Sequence, residues 1–223
     1  MEPGDQLRRF PLPFPRQRLD KRAVEVVTRL QRAGFEAYMV GGCVRDLLVG
    51  RQPKDVDIAT SAKPEQVQRL FRRSRVIGRR FRLVHVYVGR DVFEVATFRR
   101  APDASDEDGE AQMIRSDNVF GTAREDALRR DFTVNALLLD PGANEILDWC
   151  GGMEDLRRGR LISIGDPMRR FREDPVRILR LVKFVRRLEF SPGPEEVAAS
   201  RELAMDLEKA APPRVVEEVF RLM

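Results

Sequence analysis

The sequence predicts an α/β unit built on a mixed sheet flanked by helices, followed by an all-α segment. Helical and strand-like stretches alternate from residue 19 onward. Two β-branched runs, 83–88 and 92–98, are joined by Gly89-Arg90-Asp91 as a hairpin. From Pro167 the apolar spacing turns helical and stays so. Alternating elements with one hairpin imply both parallel and antiparallel pairs.

Residues 1–18 are dense in proline and arginine, with Phe10-Pro11-Leu12-Pro13-Phe14-Pro15, and read as an extended arm. Residues 19–33 carry Val24, Val27 and Leu30 at helical spacing, and Gly34 supplies the stop. A strand at 35–40 runs into Gly41-Gly42, residues 44–49 form a short helix ended by Gly50, and 55–60 form the next strand. Pro64 opens a helix to residue 71, because its missing N–H costs nothing in a first turn. Strands at 76–77, 83–88 and 92–98 follow.

Residues 101–115 are acidic and nearly free of apolar side chains, the composition of a disordered loop. Thr122 with Glu125 forms a capping box for a helix ending near Arg130. Residues 132–139 read as buried, and 145–149 and 161–164 as strands. Helices are expected at 174–188, 194–209 and 214–223, the last stopping mid-pattern as if cut within a helical region. The division expected is an arm at 1–18, a head at 19–164 and a helical neck at 165–223.

Lysine and arginine number 41 against 36 acidic residues, and charged residues reach 35% where about 25% is usual. A polyanionic partner fits that balance, although solvated faces account for most of the paired arginines. Cys43 and Cys150 have neither metal-ligand spacing nor a disulfide framework. No apolar run reaches the ~20 residues a membrane span needs. The reading is a cytoplasmic protein with no membrane contact.

Asp55 and Asp57 stand two apart in the expected strand, where alternation points both carboxylates one way. Such charges repel unless a cation sits between them, and magnesium suits oxygen ligands. Taken alone, so short a pair is more often one strand cap and one solvated side chain than a metal site. Backbone amides after Gly41-Gly42 can cradle phosphate oxygens, with Arg45 adding charge. Arg129-Arg130-Asp131-Phe132-Thr133-Val134-Asn135-Ala136 adds guanidinium groups, a carboxylate and an amide at the mouth of an apolar run, where unpaired polar groups are costly.

Together these stretches, with 148–156 (Asp148-Trp149-Cys150-Gly151-Gly152 to Leu156) and Glu173-Asp174-Pro175-Val176-Arg177, resemble the class II nucleotidyltransferases in kind and order. That family holds the bacterial poly(A) polymerases and the tRNA CCA-adding enzymes. The resemblance implies a nucleotidyltransferase head of the DNA polymerase β kind and a helical neck. It further implies two magnesium ions held by Asp55 and Asp57, with Asp131 a further catalytic carboxylate. Gly41, Gly42 and Arg45 would support the triphosphate, Arg130 and Asn135 the nucleotide, and Asp174 and Arg177 the base.

An aspartate and an arginine three apart on a helix face one side. Such a pair matches the amino donor and ring acceptor shared by adenine and cytosine. The segment 76–86, Val76-Ile77-Gly78-Arg79-Arg80-Phe81-Arg82-Leu83-Val84-His85-Val86, resembles the signature that separates bacterial poly(A) polymerases from CCA-adding relatives. The implied activity is addition of AMP from ATP to the 3′ end of RNA, whether mRNA, small RNA or tRNA, with pyrophosphate released. CCA or A addition to tRNA is the alternative, and a basic RNA-binding module without catalysis the third. Glu94 is a further candidate near the metals, His85 reads as a core residue, and Arg214 with Glu218 resembles the last shared motif.

Overall fold

A computed structural model describes residues 6–78, 83–100 and 119–221. The acidic stretch 101–115 lies outside the described residues, as do 79–82 of the segment 76–86. Eight strands form one mixed sheet: β1 (Arg8–Pro11), β2 (Ala37–Val40), β3 (Asp57–Thr60), β4 (Ser74–Ile77), β5 (Leu83–Val88), β6 (Asp91–Thr97), β7 (Leu138–Asp140) and β8 (Glu145–Asp148). Their order is β1-β8-β7-β2-β3-β6-β5-β4. β3 and β6 pair in parallel and the remaining pairs are antiparallel.

The proline-rich start docks as an edge strand, with Pro11 opposite Glu145 where no further strand needs its missing N–H. α1 (Lys21–Arg32) is capped by Asp20, which accepts from the amides of Arg22 and Ala23. It buries Ala23, Val26, Val27 and Leu30. With α2 (Gly42–Leu48) and α3 (Pro64–Leu70) it shares a core with the inward residues Val84, Val86, Phe93 and Val95 of β5 and β6. On the other face, α4 (Ala123–Leu128) covers Val40, Ala59, Leu138 and Leu147 through Ala123 and Ala127. The outward residues of β5 and β6 are left facing a cleft.

The turn into α5 (Gly152–Arg157) is set by Asp148, whose buried carboxylate accepts from the amides of Cys150, Gly151, Gly152 and Met153. Only glycine fits at position 152, because a Cβ there would lie 2.2 Å from the Thr133 carbonyl oxygen. β9 (Arg160–Leu161) pairs with β10 (Ser191–Pro192) and ties the sheet region to the helical part.

The helical part holds α6 (Pro167–Glu173), α7 (Val176–Leu188), α8 (Pro194–Glu202) and α9 (Pro212–Phe220). The helix expected at 174–188 begins two residues late. Pro175 forces Asp174 into extended backbone, φ −149° and ψ 92°, which separates α6 from α7. The helix expected at 194–209 ends at Glu202, and a tight 3-10 turn (Ala204–Lys209) follows. Phe132 and Val134 from the head pack with Phe171, Ile178, Leu181 and Phe184 from the neck. Phe132 and Phe184 meet edge to face at 5.9 Å. Among the described residues no helix is long and apolar enough to cross a membrane.

Phe132 is fully buried at this joint. Phe132→Ala is expected to lower the unfolding free energy by about 3–5 kcal/mol in urea titration. A loss under 1 kcal/mol would mean that the joint carries little of the stability.

Candidate functional site

A cleft of about 1100 Å³ opens between the outward face of the sheet and helices α7 and α9, and all ten site residues singled out from the sequence line it. Gly41, at the end of β2, has φ +75° and ψ −137°, a conformation open to glycine alone. A Cβ there would also stand 3.0 Å from Arg130 Nη1 and 3.9 Å from Asp57 Oδ2. The chain therefore passes close beside the carboxylate and the guanidinium with its first α2 amides unpaired within the helix.

Asp57 opens β3, while Asp55 sits in the bend before it, so strand alternation does not align the two as expected. Parallel pairing puts Glu94 of β6 in register with Asp57. Asp57 is open at the cleft surface but backed by the fold, and that partial desolvation raises its pKa, as do the nearby Glu94 and Asp55 carboxylates against the pull of Arg130. The charge at this point is thus under-neutralised, which suits a hard cation.

Among the described residues no three side chains close up into a ready-made metal cage. Magnesium does not need one, since it keeps several waters and shares its shell with one or two carboxylates and phosphate oxygens. The donors present therefore fit it: Asp55 and Asp57 are the residues that could hold it, and Glu94 is in register with Asp57.

Asp131 has both carboxylate oxygens occupied. Oδ1 accepts from the Phe132 amide at 2.8 Å and the Asn135 side chain at 3.1 Å, and Oδ2 accepts from Arg180 Nε at 2.7 Å. Burial pushes this carboxyl up, but Arg180, Asn135 and the Phe132 amide outweigh that and hold it below the usual value. A carboxylate so paired is held by its neighbours, and the carboxylate in register with Asp57 is that of Glu94.

Arg45 is likewise committed. Its guanidinium donates to Asp46 Oδ1 and, at 2.6 Å, to Asn135 Oδ1, and lies 5.0 Å from the Phe184 ring centroid. Both ends of the Asn135 amide are used, towards Arg45 and Asp131. Arg130 donates to Asp126 Oδ2 at 2.9 Å, and its Nε is buried without a hydrogen-bond partner. Of the cations named from sequence, Arg130 is the one set beside Gly41 and Asp57.

At the far wall Asp174 Oδ2 accepts from Arg214 of α9 at 2.7 Å, and Arg177 donates to the Arg170 carbonyl at 3.0 Å. The two line the same cleft although Pro175 prevents them from sharing one regular helix. Sequence reading passed over Arg180, Lys183 and Arg187, which line the cleft from α7. Their spacing with Arg177 is helical, and that signal was available. Glu218 of α9 accepts from Arg180 and Lys183.

His85 is not a core residue. It is half-buried on the outward face of β5, with Nε2 3.6 Å from Glu94 Oε1. The alternation that buries Val84 and Val86 turns it out. Burial pushes the Cys43 and Cys150 thiols up to about 12, which disfavours the thiolate at both.

The model of the poly A polymerase head domain matches residues 37–162. Poly(A) polymerase I of Haemophilus influenzae is 50% identical over 210 residues, 91% of this chain and 46% of that protein. The CCA-adding enzyme of Lactobacillus helveticus is 40% identical over 203 residues, 90% of this chain and 49% of that protein. The Bacillus stearothermophilus CCA-adding enzyme in complex with CTP superposes with a TM-score of 0.79 at 36% identity, covering 90% of this chain and 47% of that one. The chain thus spans just under half the length of these relatives.

Two outcomes follow from the charges. Asp57 ionises in an unfavourable place, so what it contributes at low pH is lost as pH rises through its raised value. Asp57→Asn is therefore expected to melt above the wild type at neutral pH without ligand; a lower melting temperature would contradict this electrostatic reading. Asp126 behaves oppositely: burial raises its carboxyl, but Arg130 and Arg129 prevail and hold it low, as Arg180 does for Asp131. Their stabilisation is complete above about pH 4 and is lost as pH falls through the lowered values. Denaturant midpoints measured from pH 6 to 3 are expected to drop most steeply below pH 4, and to change less in Asp131→Asn.

Proposed function

The chain belongs to the poly A polymerase head-domain family, and on that premise we propose that it forms the catalytic half of an RNA 3′-end nucleotidyltransferase that adds AMP from ATP. The observation that carries the proposal is the under-neutralised group Asp57, Glu94 and Asp55 beside the Gly41 turn and Arg130. Few uses other than a polyphosphate and its cation match such a juxtaposition.

In this reading the amides after Gly41 and the Arg130 guanidinium receive the triphosphate. Asp174 accepts from the exocyclic amino group of the base and Arg177 donates to its ring nitrogen. The 3′-hydroxyl oxygen of RNA attacks the α-phosphorus in line, the bond to the bridging oxygen breaks, and pyrophosphate leaves on the opposite side. Glu94 takes the hydroxyl proton. Magnesium held by Asp55 and Asp57 supplies charge neutralisation and acidifies the attacking hydroxyl when bound. Arg45, Asn135 and Asp131 hold the wall of the site rather than touch the reacting atoms.

CCA or A addition to tRNA is the second reading, favoured by the 40% identity to a CCA-adding enzyme. The 50% identity to a poly(A) polymerase and the segment 76–86 favour poly(A) addition. The residues Asp174 and Arg177 match adenine and cytosine alike.

Incubation of the protein with magnesium and an unstructured RNA or a tRNA ending in CC, with ATP and CTP supplied separately, tests the choice. Extension of the unstructured RNA by ATP alone is expected; incorporation of CTP into tRNA would contradict the poly(A) reading. Asp55→Ala and Asp57→Ala are each expected to abolish incorporation, at least about 10³-fold, with the circular dichroism spectrum unchanged. Turnover within tenfold of wild type in either would refute the site.

A further inference from the structure

We propose that the outward face of β5 and β6 seats the 3′-terminal nucleotide of the acceptor RNA, with the His85 ring and the Tyr87–Val92 pair as its stacking shelf. The inference rests on the function proposed above and concerns the half of the site which that reading left without a floor.

The direction follows from the chemistry. In an in-line displacement the attacking and leaving oxygens lie on opposite sides of the phosphorus. Gly41, which follows β2, and Arg130 stand on one side of Asp57. With the triphosphate held there and its pyrophosphate leaving away from Asp57, the attacking hydroxyl approaches from the other side of β3. That side is β6, then β5, then β4.

A single cross-strand row runs in that direction. Asp57 is in register with Glu94, Glu94 with His85, and His85 with Arg75. Neighbouring strands lie about 4.8 Å apart, so His85 is about 10 Å from the backbone of Asp57. A terminal ribose at Glu94 would therefore place its base over His85, and the exposed Arg75 would meet the preceding phosphate.

The surface is also of the right kind. Tyr87 and Val92 face each other across the hairpin and are 36% and 47% exposed, on the side opposite the buried Val84, Val86, Phe93 and Val95. Val92, His85 and Glu94 line the cleft. An aromatic and an apolar side chain left open beside a row of charges match a base platform, which binds any base by its face. His85 Nε2, 3.6 Å from Glu94 Oε1, is beyond hydrogen-bond length and leaves the ring free to stack.

A short RNA ending in 3′-terminal 2-aminopurine, titrated with the intact chain in magnesium and read by fluorescence, tests the proposal. Wild type is expected to quench the terminal base, and a 5′-terminal label is expected to stay bright. His85→Ala and Tyr87→Ala are expected to weaken RNA binding at least about fivefold and to lose the quench. His85→Phe restores it, because stacking needs a ring and not an imidazole.

Calorimetric binding of ATP with magnesium is expected to stay within twofold of wild type in all three. Variants that bind and quench like wild type, or a wild type that binds RNA without quenching, overturn the inference and leave the nucleotide site standing. A wild type that fails to bind ATP with magnesium refutes the underlying function, and this inference falls with it.

Discussion

The contact on which the cleft depends is the salt bridge between Asp131 and Arg180. Asp131 belongs to the bend between α4 and β7, and Arg180 to α7. The pair continues through Asn135 to Arg45 and Asp46 on α2, and from Asp46 to Arg187, again on α7. On its other side Arg180 reaches Glu218 of α9. Each group is at least partly desolvated, so losing one partner strands the others without compensation. The apolar joint of Phe132 with Phe184 lies beneath this network and fixes the same two bodies from below.

That arrangement divides the charges. Acidic groups that remain open lie on the sheet at Asp57 and Glu94 and in the bend before it at Asp55, while α7 brings Arg177, Arg180, Lys183 and Arg187 to the opposite wall. The basic wall is largely neutralised within the protein, Arg180 by Asp131 and Glu218, Lys183 by Glu218 and Arg187 by Asp46, whereas the acidic group keeps its excess charge. The cations that complete internal pairs, Arg45 and Arg180, keep the geometry. Arg130, whose Nη1 would stand 3.0 Å from a Cβ at Gly41, is the cation set beside Gly41 and Asp57.

Much of this was legible in the residues. Asp55, Asp57, the glycine pair and the Arg130–Asn135 stretch come to one cleft because each motif is local and its elements are short. Two errors were local as well. Reading 55–60 as one strand missed the bend before Asp57, and reading 174–188 as one helix underweighted Pro175. What sequence could not supply was register: that Glu94 lies beside Asp57 is decided by how β3 and β6 pair across a long separation, whereas the outward His85 follows from an alternation with Val84 and Val86 that was there to be read. Nor could it distinguish a charged residue that meets a ligand from one, like Arg45 or Asp131, that is used up inside the protein.

The central claim is that the carboxylates at the start of β3 share a divalent cation with a bound nucleoside triphosphate. A crystal structure with magnesium and a non-hydrolysable ATP analogue tests it most directly. The expected result is cation density bridging Asp55 and Asp57 oxygens to the phosphates, with the base between Asp174 and Arg177. Phosphates seated elsewhere, with no cation at Asp57, would contradict it.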